Sequence, residues 1–388
     1  MLSMLLLGCL LGCRSGAFPD VPPGYREYAY ISNGGANTVT VLDLVFVRQD
    51  RTLAVGQNPT GMAVNPKLNE VYVVNTRSGS VSVIDAERNR VVATIGVRRQ
   101  PYAISVDAEG RRAYVANAGS NSVSVLDLEQ RREVMTAAAG EQPGLARVSP
   151  DGRSVVVTNR GSGSISVFAT GDTGAPPLRL RATIGGCPGA TDAAILPDSS
   201  KVFVACSAGH QVMAVNLEAA ANSRAARQNP SLMTDRLLAM LDVGQGPVHL
   251  ALKPDGGEIF CTNFNGDSIS EIATGNNEVG GTYTIASRPA SAVVSGDNAT
   301  LWISNFGADS ITLYGIDDGK VVGSVRTGSS PDAMAFSADE HLLLAADAKS
   351  GDVAVIRTQG RQGPALFTML PAGSQPNDVV VKAFTVGR

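Results

Sequence analysis

Side chains able to do acid–base, nucleophilic or metal chemistry are few in this sequence. There are three histidines, His210, His249 and His341, and five cysteines among 388 residues. No Gly-x-Ser-x-Gly elbow occurs and no serine has an obvious His/Asp pair, so serine-hydrolase chemistry lacks support. No Cys-x-x-Cys or His-x-x-His spacing offers a zinc site, no Cys-x-x-Cys-His offers covalent haem, and no acidic loop has calcium-ligand spacing. Neither a metal nor a cofactor is expected. His210 and His341 read as turn residues facing solvent. His249 stands two places after Pro247, where equivalent segments carry Gly61, Ala103, Leu145, Ser291 and Ala333. A histidine there reads as a ligand, a base or a hydrogen-bonded structural group.

The elements that position these residues follow from a repeat. Pro59, Pro101, Pro143, Pro188, Pro247, Pro289, Pro331 and Pro376 recur at spacings of 42, 45 or, once, 59 residues. A period of this size marks stacked supersecondary units. After most of these prolines comes a turn such as Ser149-Pro150-Asp151-Gly152, then an alternating strand ending in a polar turn-former, as in Val71-Tyr72-Val73-Val74-Asn75. Third strands follow, such as Val81-Ser82-Val83-Ile84-Asp85, then fourth strands such as Val91-Val92-Ala93-Thr94-Ile95. Four short strands per unit predict an all-β fold: a closed propeller of four-stranded antiparallel blades. The second strands end at Asn33, Asn75, Asn117, Asn159, Cys206, Asn263, Asn305 and Asp347, which counts eight blades, with seven as the alternative. The first unit lacks an inner strand and Gln375–Val381 supplies a spare one, so the C-terminal strand is expected to close the ring.

In such a ring the residues beside the recurring proline surround the channel mouth. Gln100, Tyr102, Gln142, Arg147, Asp192, His249, Arg288, Asp332 and Asp378 are the candidate ligand-binding residues there; none is assigned a catalytic role. Insertions are expected between third and fourth strands at Gly171–Pro177, Glu218–Arg236 and Gly275–Gly281, all on one face, and mark a candidate partner surface. Cys187 and Cys206 fall at the same end of one hairpin and are a candidate disulfide, while Cys261 reads as core.

The composition agrees with an all-β chain. Glycine and proline number 42 and 20, too many for a helical protein. With 32 basic and 35 acidic residues the charge is balanced, which argues against a nucleic-acid partner. Residues 1–12 are almost wholly apolar and read as a signal peptide, too short to span a bilayer. Leu10-Leu11-Gly12-Cys13 resembles a bacterial lipobox, which implies lipidation at Cys13; Leu6-Leu7-Gly8-Cys9 is a second match. Residues 13–27 then read as a linker and 28–388 as one propeller domain.

The units resemble the YVTN family of β-propeller repeats, with Val73-Val74-Asn75 and Val115-Ala116-Asn117 at the family's signature position. The resemblance covers roughly Ala29 to Phe384. It implies a propeller fold and leaves function open, since members include surface-layer, binding and enzyme proteins. Related lactonases act on phosphorylated substrates in the cytosol, which an exported lipoprotein would not meet. The expected function is therefore a monomeric, lipid-anchored, non-catalytic binding or scaffold module in the cell envelope, periplasmic or at the cell surface, with a protein or glycan partner. The alternative is a propeller enzyme, lactonase-like or haem- or redox-cofactor-dependent, working at the channel mouth around His249.

Overall fold

A computed structural model describes residues 20–171, 177–218, 233–360 and 363–387. Among the described residues, thirty-two strands, β1–β32 in chain order, form eight four-stranded sheets, all paired antiparallel. The inner strands are β4 (Pro59–Val64), β8 (Pro101–Val106), β12 (Pro143–Val148), β16 (Ala190–Ile195), β20 (Pro247–Leu252), β24 (Pro289–Val294), β28 (Pro331–Phe336) and β32 (Pro376–Thr385). Seven blades are sequential hairpins. In the eighth, β32 pairs with β1 (Tyr25–Asn33), from Tyr25 opposite Thr385 to Asn33 opposite Pro376, which closes the ring. Closure removes the open sheet edge that would otherwise invite association. Strand β1 starts at Tyr25, so the sheet begins three residues inside the segment read as linker.

The core lies between blades. Alternation along each strand presents apolar side chains to both sheet faces, and neighbouring sheets bury them against each other. One such layer packs Val156, Ile165 and Val167 of one blade on Val202, Val204 and Met213 of the next.

Six of the eight blades also carry a polar latch. Asn75 donates through Nδ2 to Ser80 and Ser82, and Asn159 does so to Ser164 and Ser166. Asn33, Asn117, Asn263 and Asn305 do likewise toward a hydroxyl seven places on. Two blades depart from this plan. Cys206 takes the Asn place in one and is bonded to Cys187, with Cα atoms 4.8 Å apart. In the other, buried Asp347 faces Asp352.

The enlarged connections hold for two of the three expected units. Gly275–Gly281 is no insertion: Asn277 closes an ordinary turn after β22 (Ser268–Ala273), and β23 (Glu278–Thr284) begins at once. The insertions after β14 (Ser164–Thr170) and β18 (Gln211–Asn216) fall largely outside the described residues, as do residues 1–12 and Cys13.

Candidate functional site

Every inner strand is built alike. Its first and fourth residues are buried between blades, the second and third are more open toward the central tunnel, and several of the fifth and sixth, such as Ala251 and Ile195, return to the core between blades. The third residue is Gly61, Ala103, Leu145, Asp192, His249, Ser291, Ala333 or Asp378 in ring order from β4 to β32. The tunnel's chemistry is thus concentrated at three of eight equivalent places, on β16, β20 and β32.

These three side chains reach sideways to backbone amides of fourth residues. Asp378 accepts from Met62 N–H on the neighbouring strand at 2.7 Å and from Val379 N–H at 2.8 Å. Asp192 accepts from Leu250 N–H at 3.0 Å and from Ala193 N–H at 2.8 Å. His249 accepts through Nδ1 from Ala292 N–H at 3.4 Å. An innermost strand has no partner on its tunnel side, so alternate amides point into the tunnel and need acceptors. The third-residue side chains supply five of them.

Arg147 is the fifth residue of β12, where other blades have Ala63, Ser105, Ala194, Ala251, Val293, Ala335 and Val380. Its guanidinium donates through Nη2 to Asp192 Oδ1 at 3.3 Å. The other Asp192 oxygen lies 3.9 Å from His249 Nε2. Asp192 therefore joins three inner strands: it sits on β16 and touches groups on β12 and β20.

Electrostatics separate the members of this ring. Burial pushes the Asp378 carboxyl up to about 7; Asp332 adds to the rise, while the two amides and Arg147 oppose it. Burial also raises Asp332, the second residue of β28. His249 is held below the ordinary imidazole range by burial, Asp192 pulling the other way and Arg147 adding to the fall. Although closely enclosed by protein, its side chain keeps 34% of its surface open to the tunnel. A neutral imidazole whose Nδ1 accepts a hydrogen bond carries its proton on Nε2, toward Asp192.

The remaining candidates divide from this group. Gln100, Gln142 and Arg288 precede the strand prolines with φ of 50°, 50° and 52°, and sit on the upper face. Loop geometry accounts for their place: the Gln142 and Arg288 amides are accepted by Asn121 Oδ1 and Asp267 Oδ1. Gln100, Tyr102 and Gln142 line a pocket of about 520 Å³ together with Gly119, Asn121 and Arg160. Spacing from the proline alone cannot separate these two groups, because both lie within four residues of it.

The chain matches the family model described as lactonase, 7-bladed beta-propeller, over residues 47–143 and 268–380, more than half its length. It belongs to this lactonase family. The matched regions contain Asp332 and Asp378, whereas Arg147, Asp192, His249 and the disulfide lie in the stretch between them. With eight blades the chain has one more than the family's description. No curated protein matches it. Among solved structures, the dihydro-heme d1 dehydrogenase NirN is similar with 16% identity and a TM-score of 0.73, over 91% of this chain and 74% of that one. A candidate 6-phosphogluconolactonase of Bacteroides fragilis shares 14% identity with a TM-score of 0.61, over 94% of this chain and all of that one. At such identities these two likenesses show the fold. Membership of a lactonase family overturns the expectation of a non-catalytic scaffold for a protein or glycan partner. Fold and repeat pattern carry no information on activity, and that expectation rested on them.

Proposed function

We propose that this protein is a hydrolase that opens a cyclic ester in the mouth of the central tunnel, with Asp378 as general base and Arg147 as the group that steadies the oxyanion. The observation that carries the reading is Asp378 itself: a tunnel-facing carboxyl pushed up to about 7 by burial, with an arginine close enough to oppose that rise. A base titrating near working pH combines a useful ionised fraction with proton affinity. In this scheme ionised Asp378 takes a proton from water as the water oxygen bonds to the ester carbonyl carbon. The negative charge on the former carbonyl oxygen is met by the Arg147 guanidinium. The tetrahedral centre then collapses, the bond to the ring oxygen breaks, and Asp378 returns its proton to that oxygen. Water is consumed and the product is a hydroxy acid. Asp192 is a positioning residue, holding Arg147 from one side and His249 from the other.

A haem-dependent reading is less favoured by the same geometry. Iron ligation through His249 Nε2 would require the proton to move to Nδ1, which accepts from Ala292 N–H. Lipidation at Cys13 belongs to this proposal as well. It would place the enzyme in the cell envelope and its substrate outside the cytosol.

The test is hydrolysis of a panel of five- and six-membered lactones, followed by proton release. The expected result is turnover that rises with pH through about 7 and falls at least a hundredfold in Asp378→Asn, the range in which acid–base groups contribute. Turnover that ignores Asp378→Asn, or an inert protein across the panel, overturns the proposal.

A further inference from the structure

The tunnel mouth carries a second group of residues that the Asp378 centre does not use. The first residue after each blade's latch position sits on the upper rim, its amide commonly bonded to the carbonyl preceding an inner strand. Phe264 N–H donates to Gly246 O and Phe306 N–H to Arg288 O, both at 2.9 Å. Elsewhere this rim position holds Gly34, Thr76, Ala118, Arg160, Ser207 and Ala348. The two phenylalanines therefore stand side by side on one arc, above β20 and β24, the arc that carries His249. Their rings are 6.0 Å apart at 52°. Both are only half-buried, although large apolar rings are normally covered. A cation flanks each ring: the Arg288 guanidinium lies 5.9 Å from the Phe264 centroid and Lys349 Nζ 5.2 Å from that of Phe306.

Below this shelf the sign of the charge reverses. Asp192, Asp332 and Asp378 face the tunnel with Arg147 as their counter-charge. An anionic ligand group would be repelled from the tunnel and held at the rim by Arg288 and Lys349. A flat apolar group would lie on the two rings, gaining contact area and ring–ring attraction. We propose that Phe264, Phe306, Arg288 and Lys349 form a subsite for the flat apolar portion of a ligand that also bears an anionic group, oriented with its anion outward. The orientation of the ester toward Asp378 rests on the hydrolase reading; the shelf itself does not.

The probe that separates the two is 2-naphthoate, a flat aromatic anion with no ester to hydrolyse. Binding to the full chain is measured by calorimetry alongside 2-naphthol, which lacks the anion, and cyclohexanecarboxylate, which lacks the flat ring. The expected result is saturable binding of 2-naphthoate at least tenfold tighter than either, weakened about tenfold in the Phe264→Ala/Phe306→Ala double variant. Arg288→Glu and Lys349→Glu, both on exposed side chains, should weaken 2-naphthoate and leave 2-naphthol unchanged. They decide the matter if the double variant fails to fold. Absence of saturable binding, or binding indifferent to these substitutions, overturns the subsite. Shelf-dependent binding with no lactone turnover would leave the subsite standing and remove the hydrolase reading.

Discussion

Replacing Asp347 by Asn should stabilise the protein at alkaline pH and do far less in acid. Asp347 ends a second strand in the place where six blades have an asparagine, and it is fully buried. Those asparagines donate to a hydroxyl five or seven places on; here the residue five places on is Asp352 and the one seven on is Ala354. Asp347 cannot donate unless protonated. One oxygen accepts from Gly328 N–H at 3.1 Å, and the other has no partner among the described residues. Burial, and then the Asp352 charge, push its carboxyl up to about 7. A folded-state value raised above the unfolded one favours the protonated form. The stabilising linkage is complete below the ordinary value of 3.8 and is lost as pH rises through about 7. At about 1.4 kcal/mol per pH unit, the wild type should lose roughly 3 kcal/mol between pH 5 and pH 8 through this group. In Asp347→Asn the amide Nδ2 would donate to the Asp352 carboxylate while Oδ1 accepts from Gly328. The variant's advantage should therefore grow by roughly 3 kcal/mol between pH 5 and pH 8. Urea unfolding of both proteins at each pH measures the difference; titrating groups remote from Asp347 cancel in it, while Asp352, which interacts with Asp347 directly, contributes to it. A variant less stable than wild type at pH 8, or an advantage equal at both pH values, would refute the reasoning.

Two further predictions concern the stretch between the matched family regions. Arg181 binds Asp235 bidentately at 2.8 Å and Ser154 Oγ at 2.9 Å, with 7% and 2% of the two charged side chains exposed. Arg181→Ala leaves a buried carboxylate unpaired and should cost about 3–5 kcal/mol in urea unfolding, whereas removing both charges should cost less. Breaking the Cys187–Cys206 bond, which spans 19 residues, should lower stability by about 3 kcal/mol. It should also slow turnover, because the bond anchors the start of the strand that carries Asp192. Unchanged kinetics in Cys187→Ser/Cys206→Ser would show that Asp192 is held independently.

How far the sequence reached depends on what each residue needed from elsewhere. The proline period, the alternating strands and the unused C-terminal strand are local patterns, and each blade repeats them. Eight blades and their closure through β32 and β1 were therefore legible before any contact was known. So was the neighbourhood of His249, Asp192 and Asp378, since all three occupy one register position in equivalent strands. The third insertion was misplaced because Gly- and Asn-rich segments look alike whether they form a turn or a longer loop; strand pairing decided it.

Tertiary structure alone decided which polar residues work together. Asp378 and Met62 are joined across the closing point of the ring, far apart in the chain. The rise in the Asp378 carboxyl comes from burial, which no single strand possesses. Gln100 and Arg147 are each within four residues of a recurring proline, yet one lies on the upper face and the other reaches Asp192 on the next inner strand. The reason is physical: repeat periodicity specifies each strand's place and alternation, while charge, proton affinity and partnership arise from side chains that converge from different blades.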